Sequence, residues 1–168
     1  VVGIDTILNL PTYLASEHAF TLITQCAGRS GRDRGQGHVI LQTYTPENFV
    51  IQAAARQDYE AFYTQELPFR KLLGYPPFMK LLKMSCFGKE YRAVRERAAR
   101  VYAWLRRETR HADSLLITPP YDEAIKRKRD TYYISILIKG EDLAPLKQKI
   151  RQSFILQENG IIIDVDPL

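Results

Sequence analysis

The sequence predicts an α/β segment followed by a small α+β domain ordered β-α-β-β-β-α-β. Three observations carry this. Gly74-Tyr75-Pro76-Pro77 stops a helix and divides the chain. Ahead of it, apolar residues at helical spacing lie between short apolar runs. Behind it, stretches that alternate with period two flank a long stretch with period 3–4. Two helices on one face of a four- or five-strand sheet form an α+β sandwich.

The elements follow in order. Val1-Val2-Gly3-Ile4 reads as a buried strand with Asp5 just past its end, and 6–15, with Pro11, reads as loop. Phe20, Leu22, Ile23 and Ala27 place a helix over 17–27, ended by Gly28. HVILQTY (38–44) reads as a strand. Thr45-Pro46-Glu47 has the chemistry of a helix start: a capping hydroxyl, a proline at the first position and an early acid. That helix is expected to reach about Leu73, with a break on the way.

In the second part, KLLKMSCFG (80–88) alternates, with Leu82, Met84 and Cys86 on one face. Val94, Ala98, Val101, Tyr102 and Leu105 mark a helix over 89–112, with Trp104 as half-buried packing. SLLIT (114–118), residues 121–127 and TYYISILIK (131–139) read as strands, the last turning Tyr132, Ile134, Ile136 and Ile138 to one side. A helix over 142–154 presents Leu143, Leu146, Ile150 and Phe154 inward, and GIIIDVD (160–166) closes the sheet. The predicted division is 1–66, a connecting stretch at 67–77, and 78–168.

Composition bounds the function. The 168 residues carry 24 Lys+Arg against 19 Asp+Glu, a net charge of +5, which suits a nucleic-acid partner without requiring one. Cys26 and Cys86 have no CxxC or His companions, which argues against a zinc site or disulfide framework here and for a reducing cytoplasm. No apolar run reaches membrane-spanning length, so no membrane role is expected. The opening, without Met, reads as an excised piece of something larger.

QCAGRSGRDRGQG (25–37) is the richest stretch in chemistry. It lacks the GK[ST] of a phosphate-binding P-loop. A basic surface loop is one reading. The other lies in the pattern Gln25-x-x-Gly28-Arg29-x-x-Arg32: on a helix, Gln25, Arg29 and Arg32 fall at i, i+4 and i+7 and face one way. An amide and two guanidiniums on one face suit a multiply charged anion such as phosphate. A second constellation is IKRKRDTYY (125–133), in which Lys126, Arg127, Lys128 and Arg129 form a cationic hairpin tip able to grip phosphates. Tyr133 could stack on an exposed base, while alternation makes Tyr132 core. The alternative is a solvated charged turn. The arginines of 92–110 interleave with Glu90, Glu96 and Glu108 and read mostly as a solvated face. His38 and His111 lack partners at ligand spacing. Asp164 and Asp166 are expected to meet local arginines rather than a metal.

Q-x-x-G-R-x-x-R resembles motif VI of superfamily 2 helicases, carried on the second RecA-like lobe. More narrowly, the chain is similar to the primosomal replication-restart DNA helicases (primosomal protein N′). The matching pieces are FTLITQCAGRSGR (20–32), GHVILQTYTPE (37–47), DYEAFYTQEL (58–67), LGYPPF (73–78) and DVDP (164–167), in the family's order. The chain departs from the family at His18, where arginine is usual, and at Pro68, inside a segment that is usually continuous helix, where a kink is expected.

The resemblance implies that 1–66 is the end of helicase lobe 2, and that 78–168 resembles a small ribosomal-protein fold that helps bind branched DNA. It implies an ATP-dependent DNA helicase that restarts stalled forks. Arg29 and Arg32, with Gly28 beside them, would meet the γ-phosphate of ATP bound with Mg²⁺ on the other lobe, and Gln25 would position them or a water. Zinc would belong to an insertion upstream. Partners would be forked or branched DNA, single-stranded-DNA-binding protein and primosome proteins. The piece alone should lack ATPase activity. A non-catalytic RNA- or ribosome-associated binding module remains the other reading.

Overall fold

The computed structural model describes residues 3–30, 38–112, 114–128 and 130–167. The chain divides into two compact units, one running to Leu73 and the other spanning Gly74–Pro167.

The first unit is helical among its described residues: α1 (Ile4–Leu8), α2 (Ala15–Ser30), α3 (Phe49–Ala55) and α4 (Tyr59–Leu73). Its core gathers Ile4, Ala19, Phe20, Ile23, Val50, Ile51, Ala53, Ala54 and Phe62. Phe20 stacks on Phe62 with centroids 4.6 Å apart, and Phe49 extends the stack at 6.2 Å. Arg70 ties α4 to α2: its Nη2 donates to Glu17 Oε2 at 2.9 Å and its Nε to Glu66 Oε1 at 3.0 Å. Its guanidinium also lies over the Tyr13 ring. Burial opposes the charge on Arg70, but the two carboxylates outweigh it and raise its pKa.

Several sequence expectations change here. Ile4 opens a helix rather than closing a strand, and Val1 and Val2 lie outside the described residues. Gly28 does not end α2, which runs through it to Ser30. HVILQTY forms no strand; Ile40 is 83% and Tyr44 92% exposed. At its end the Tyr44 N–H donates to the Asp5 carboxylate at 3.3 Å rather than to a neighbouring strand. Asn48 rather than Thr45 caps α3, its side chain accepting from the Val50 N–H at 2.9 Å. Thr45 instead joins Thr43 in donating to the Asp5 carboxylate, which fixes 43–45 against α1. The helix reaches Leu73 as expected, broken between α3 and α4, and it continues through Pro68, so 67–73 of the stretch also assigned to the connection are its last turns. Gly74 then takes φ 62°, the left-handed stop expected of a glycine there.

The second unit is an α+β sandwich. Its strands are β1 (Lys80–Gly88), β2 (Leu116–Ile117), β3 (Tyr121–Lys128), β4 (Thr131–Gly140) and β5 (Ile161–Val165); its helices are α5 (Tyr91–Glu108) and α6 (Ala144–Arg151). Every pairing is antiparallel, in the order β2-β4-β1-β5, with β3 also on β4. Leu82, Met84 and Cys86 of β1 and Ile134, Ile136 and Ile138 of β4 face Val94, Ala98, Val101 and Leu105 of α5 and Leu146 and Ile150 of α6. Burial lifts the Cys86 thiol to about 11, so it stays protonated. Phe154 is not part of the inner face of α6: the helix ends at Arg151, and Phe154 opens a separate 3₁₀ turn, 42% exposed, edge-on to Trp104.

β5 is locked at both ends. Gly160 has φ 90°, and a Cβ there would lie 2.7 Å from the Phe87 carbonyl oxygen. At the far end the Asp166 carboxylate accepts from the Leu81 N–H at 3.2 Å, and the Asp166 N–H donates back to the Leu81 carbonyl. Asp166 therefore closes the sheet on backbone rather than meeting an arginine.

Candidate functional site

The first candidate site is the exposed face of α2. Ala15, Ala19, Phe20 and Ile23 turn inward. At 100° per residue, Gln25 and Gly28 fall on the opposite side and Arg29 on the flank beyond Ala15, and all three are exposed. Neither the Gln25 nor the Arg29 side chain has an ion-pair or hydrogen-bond partner among the described residues. The structure thus brings Gln25, Gly28 and Arg29 together, while Arg32 lies outside the described residues. Gly28 has ordinary helical conformation, and a Cβ there would meet nothing within 4 Å. A helix-interior glycine costs about 1 kcal/mol against alanine, and nothing described in this chain requires one.

The second site is the β3–β4 hairpin. Arg127 pairs with Tyr132 and Lys128 with Thr131, leaving a two-residue tip in which Asp130 takes φ 60°. β3 thus extends one residue past its expected end, so Lys126, Arg127 and Lys128 sit in the strand. Their side chains, and Arg129 altogether, lie outside the described residues. Tyr132 turns to the helix side, edge-on to Tyr91 at 5.5 Å, as alternation predicts. Tyr133 lies on the opposite face, half-buried, its ring stacked 6.0 Å from Phe87.

That face also holds a cluster the sequence reading missed. Glu123 Oε1 accepts from Lys83 Nζ at 2.9 Å, from Ser135 Oγ at 2.6 Å and from Ser85 Oγ at 3.2 Å. Ser85 and Ser135 are cross-strand partners 2.8 Å apart at their hydroxyls. Nearby, Lys139 Nζ sits 3.6 Å over the Tyr75 ring, and desolvation lowers its pKa. The signal in the sequence was Lys83 and Ser85 alternating with the core residues of β1, but only the β3–β4 register supplies the acid. For Glu123, burial alone would raise the pKa; the hydrogen bonds from Lys83 and Ser135 and the charge of Lys83 outweigh it, so the net shift is downward. Stability from the ionised carboxylate is therefore complete above the ordinary glutamate value near ~4.3 and lost as pH falls through the lower folded-state value. Glu123→Gln should flatten the acid limb of a stability-versus-pH curve. An acid limb as steep as wild type would remove Glu123 from the account.

Among the described residues no three His, Cys, Asp or Glu side chains gather at metal-ligand spacing. His111 Nε2 accepts from Arg110 Nε at 2.9 Å. No described helix is long and apolar enough to cross a membrane.

Comparison with known proteins shows the family of the chain. The family model of the primosomal protein N C-terminal domain matches residues 71–168. The chain belongs to that family. The primosomal-protein-N match covers the whole α+β unit, and relatives extend it over the α2 site. The replication restart protein PriA of Chlamydia pneumoniae is 37% identical over 169 residues, covering 98% of this chain and 22% of that protein. PriA of Synechocystis is 37% identical over 175 residues, covering 100% of the chain and 20% of that protein. PriA of Bacillus subtilis is 32% identical over 171 residues, covering 99% and 21%. The chain spans about a fifth of the length of these relatives and corresponds to their C-terminal part.

Proposed function

We propose that this chain is the C-terminal part of an ATP-dependent DNA helicase that restarts stalled replication forks in the cytoplasm. Its first unit would be the end of RecA-like lobe 2, offering Arg29 and Arg32, with Gln25, to the γ-phosphate of Mg²⁺-bound ATP held on the other lobe. Its second unit would hold forked DNA. The observation that carries the reading is Arg29: it stands exposed beside Gln25 and Gly28 on α2, while the half-buried Arg70 of the same unit is clamped by two carboxylates.

Guanidinium donors fit a phosphate by charge and by their planar fork. Because the nucleotide would sit on another lobe, contact would form only on closure, which couples hydrolysis to movement along DNA. HVILQTY would then become a strand of the completed lobe, which accounts for its exposed Ile40 and Tyr44. Primosome proteins and single-stranded-DNA-binding protein are the partners this reading assigns. Zinc belongs to a region of the longer protein outside this chain.

The DNA role is tested by titrating the chain with forked, duplex and single-stranded DNA across a salt series. Each phosphate held contributes about 0.9 to the log–log salt slope for duplex. Replacing Lys126, Arg127, Lys128 and Arg129 with alanine should flatten that slope by 2–4, on the order of one unit per cation engaged. A slope equal to wild type would make the hairpin a solvated turn. Preference for structured RNA over every DNA would favour the non-catalytic RNA-binding reading.

A further inference from the structure

The helix layer of the second unit carries a groove that the hairpin reading leaves unused. Along α5, Arg100, Ala103, Trp104 and Arg107 line a cavity of about 590 Å³, and Phe154 of the 3₁₀ turn completes it. Trp104 and Phe154 meet edge to face, centroids 6.5 Å apart, and Phe154 is 42% exposed. Two large rings at an open groove leave apolar surface that the fold itself does not cover.

The charge around the groove is unbalanced. At one end Arg97 and Arg100 share the single carboxylate of Glu158, Arg97 Nε donating at 3.1 Å. At the other, Arg107 and Lys149 share Glu108, at 3.2 and 3.6 Å. Among the described residues, four cations therefore rest on two acids, and no acid lines the cavity. Seven residues along a helix separate Arg100 from Arg107, about 10 Å of axis, with the indole between them.

We propose that this groove seats a base of a single-stranded nucleic acid, stacked on Trp104 with Phe154 against its edge, and with phosphates on either side of it held by Arg100 and Arg107. The proposal rests on the reading that this unit binds DNA. Flat aromatic surface bracketed by cations matches a strand in which each base hangs between two phosphates. Stacking of this kind tolerates any base, because every base has a π-face, and arginine adds a planar, permanently charged contact to phosphate. The site differs from the hairpin in chemistry: it needs an unpaired base, whereas the hairpin needs only phosphate.

Trp104 is the chain's one tryptophan, so its emission reports the groove directly. The 168-residue chain is titrated with oligo(dT) and with duplex of equal length, and binding is followed in parallel by anisotropy of labelled DNA. Oligo(dT) should quench Trp104 strongly and duplex weakly. Trp104→Leu, which keeps an apolar side chain but removes the ring, should weaken oligo(dT) binding by roughly 5- to 150-fold, the loss expected for one stacked base. Phe154→Ala, at an exposed position, should weaken it in the same direction and guards against a folding defect in the first variant. Arg100→Ala with Arg107→Ala should reduce the single-strand salt slope by about 1.4, two phosphates at ~0.7 each.

If anisotropy shows oligo(dT) bound while Trp104 emission and all three variants match wild type, the groove proposal is overturned and the DNA reading stands. If the chain binds no DNA of any form, both fail. Quenching by an acidic aromatic peptide but not by oligo(dT) would overturn the nucleic-acid assignment in favour of a peptide site.

Discussion

Arg32→Ala, introduced into the full-length protein, should lower DNA-stimulated ATP hydrolysis by roughly 10³- to 10⁵-fold while leaving DNA affinity within a few-fold of wild type. An arginine that stabilises charge on the transferring phosphoryl group contributes about that factor, or roughly 4–7 kcal/mol at 1.36 kcal/mol per decade. Arg29→Ala should fall in the same range if the two guanidiniums act together. Lysine at either position should recover only part of the loss, since it keeps the charge but not the two-pronged donor geometry. Gly28→Ala supplies an internal contrast. Nothing in the described structure opposes a methyl group there, so the change should raise the stability of the first unit by about 0.5–1 kcal/mol. It should nevertheless slow ATP hydrolysis, because the glycine would be there for close approach of a group outside this chain. Wild-type turnover in both arginine variants would take motif VI chemistry away from α2.

Arg70→Ala should destabilise the first unit by about 3 kcal/mol, the lower end of the loss expected when one partner of a largely buried ion pair is removed. The Arg70 and Glu66 side chains are only 14% and 11% exposed, so truncation strands a carboxylate away from water. At an m-value near ~1.5 kcal/mol/M, the urea midpoint of the helical circular-dichroism signal should fall by about 2 M. Arg70→Met combined with Glu66→Leu should restore most of the loss, because it removes the buried charge along with its partner. Arg92→Ala is the control: its pair with Glu96 is 92% and 61% exposed, and its removal should cost less than about 0.5 kcal/mol. An Arg70→Ala midpoint indistinguishable from that control would mean the clamp contributes nothing.

The second unit was more legible in the sequence than the first. Leu82, Met84 and Cys86, and Ile134, Ile136 and Ile138, alternate because one sheet face packs on the helices and the other carries polar residues such as Lys83, Ser85 and Ser135, so period two appears in the residues themselves. Val94, Ala98, Val101 and Leu105 do the same at helical spacing. In the first unit, Val1–Ile4 and 38–44 are short apolar runs, which periodicity cannot divide between strand and helix. Thr45 reads as the cap, and only the position of Asp5, forty residues earlier in sequence, shows why Thr45 is otherwise engaged and Asn48 takes its place. The α2 face was readable because i, i+4 spacing needs no tertiary information. Glu123 with Lys83, Ser85 and Ser135 was not, because it exists only in the register of three strands. The Trp104–Phe154 groove was hidden by the early end of α6, which sequence alone ran on through Phe154.

The pairing of β5 with β1, from Leu82 against Val165 to Cys86 against Ile161, has a consequence for biosynthesis. The sheet's interior strand is made some eighty residues before the neighbour that completes it. While the ribosome still holds residues 161–165, the nascent unit presents one side of β1 as an open edge, a template for pairing with other chains. A messenger cut short upstream of Ile161 would yield a product locked in that condition, a natural target for chaperones and proteases rather than a smaller working module.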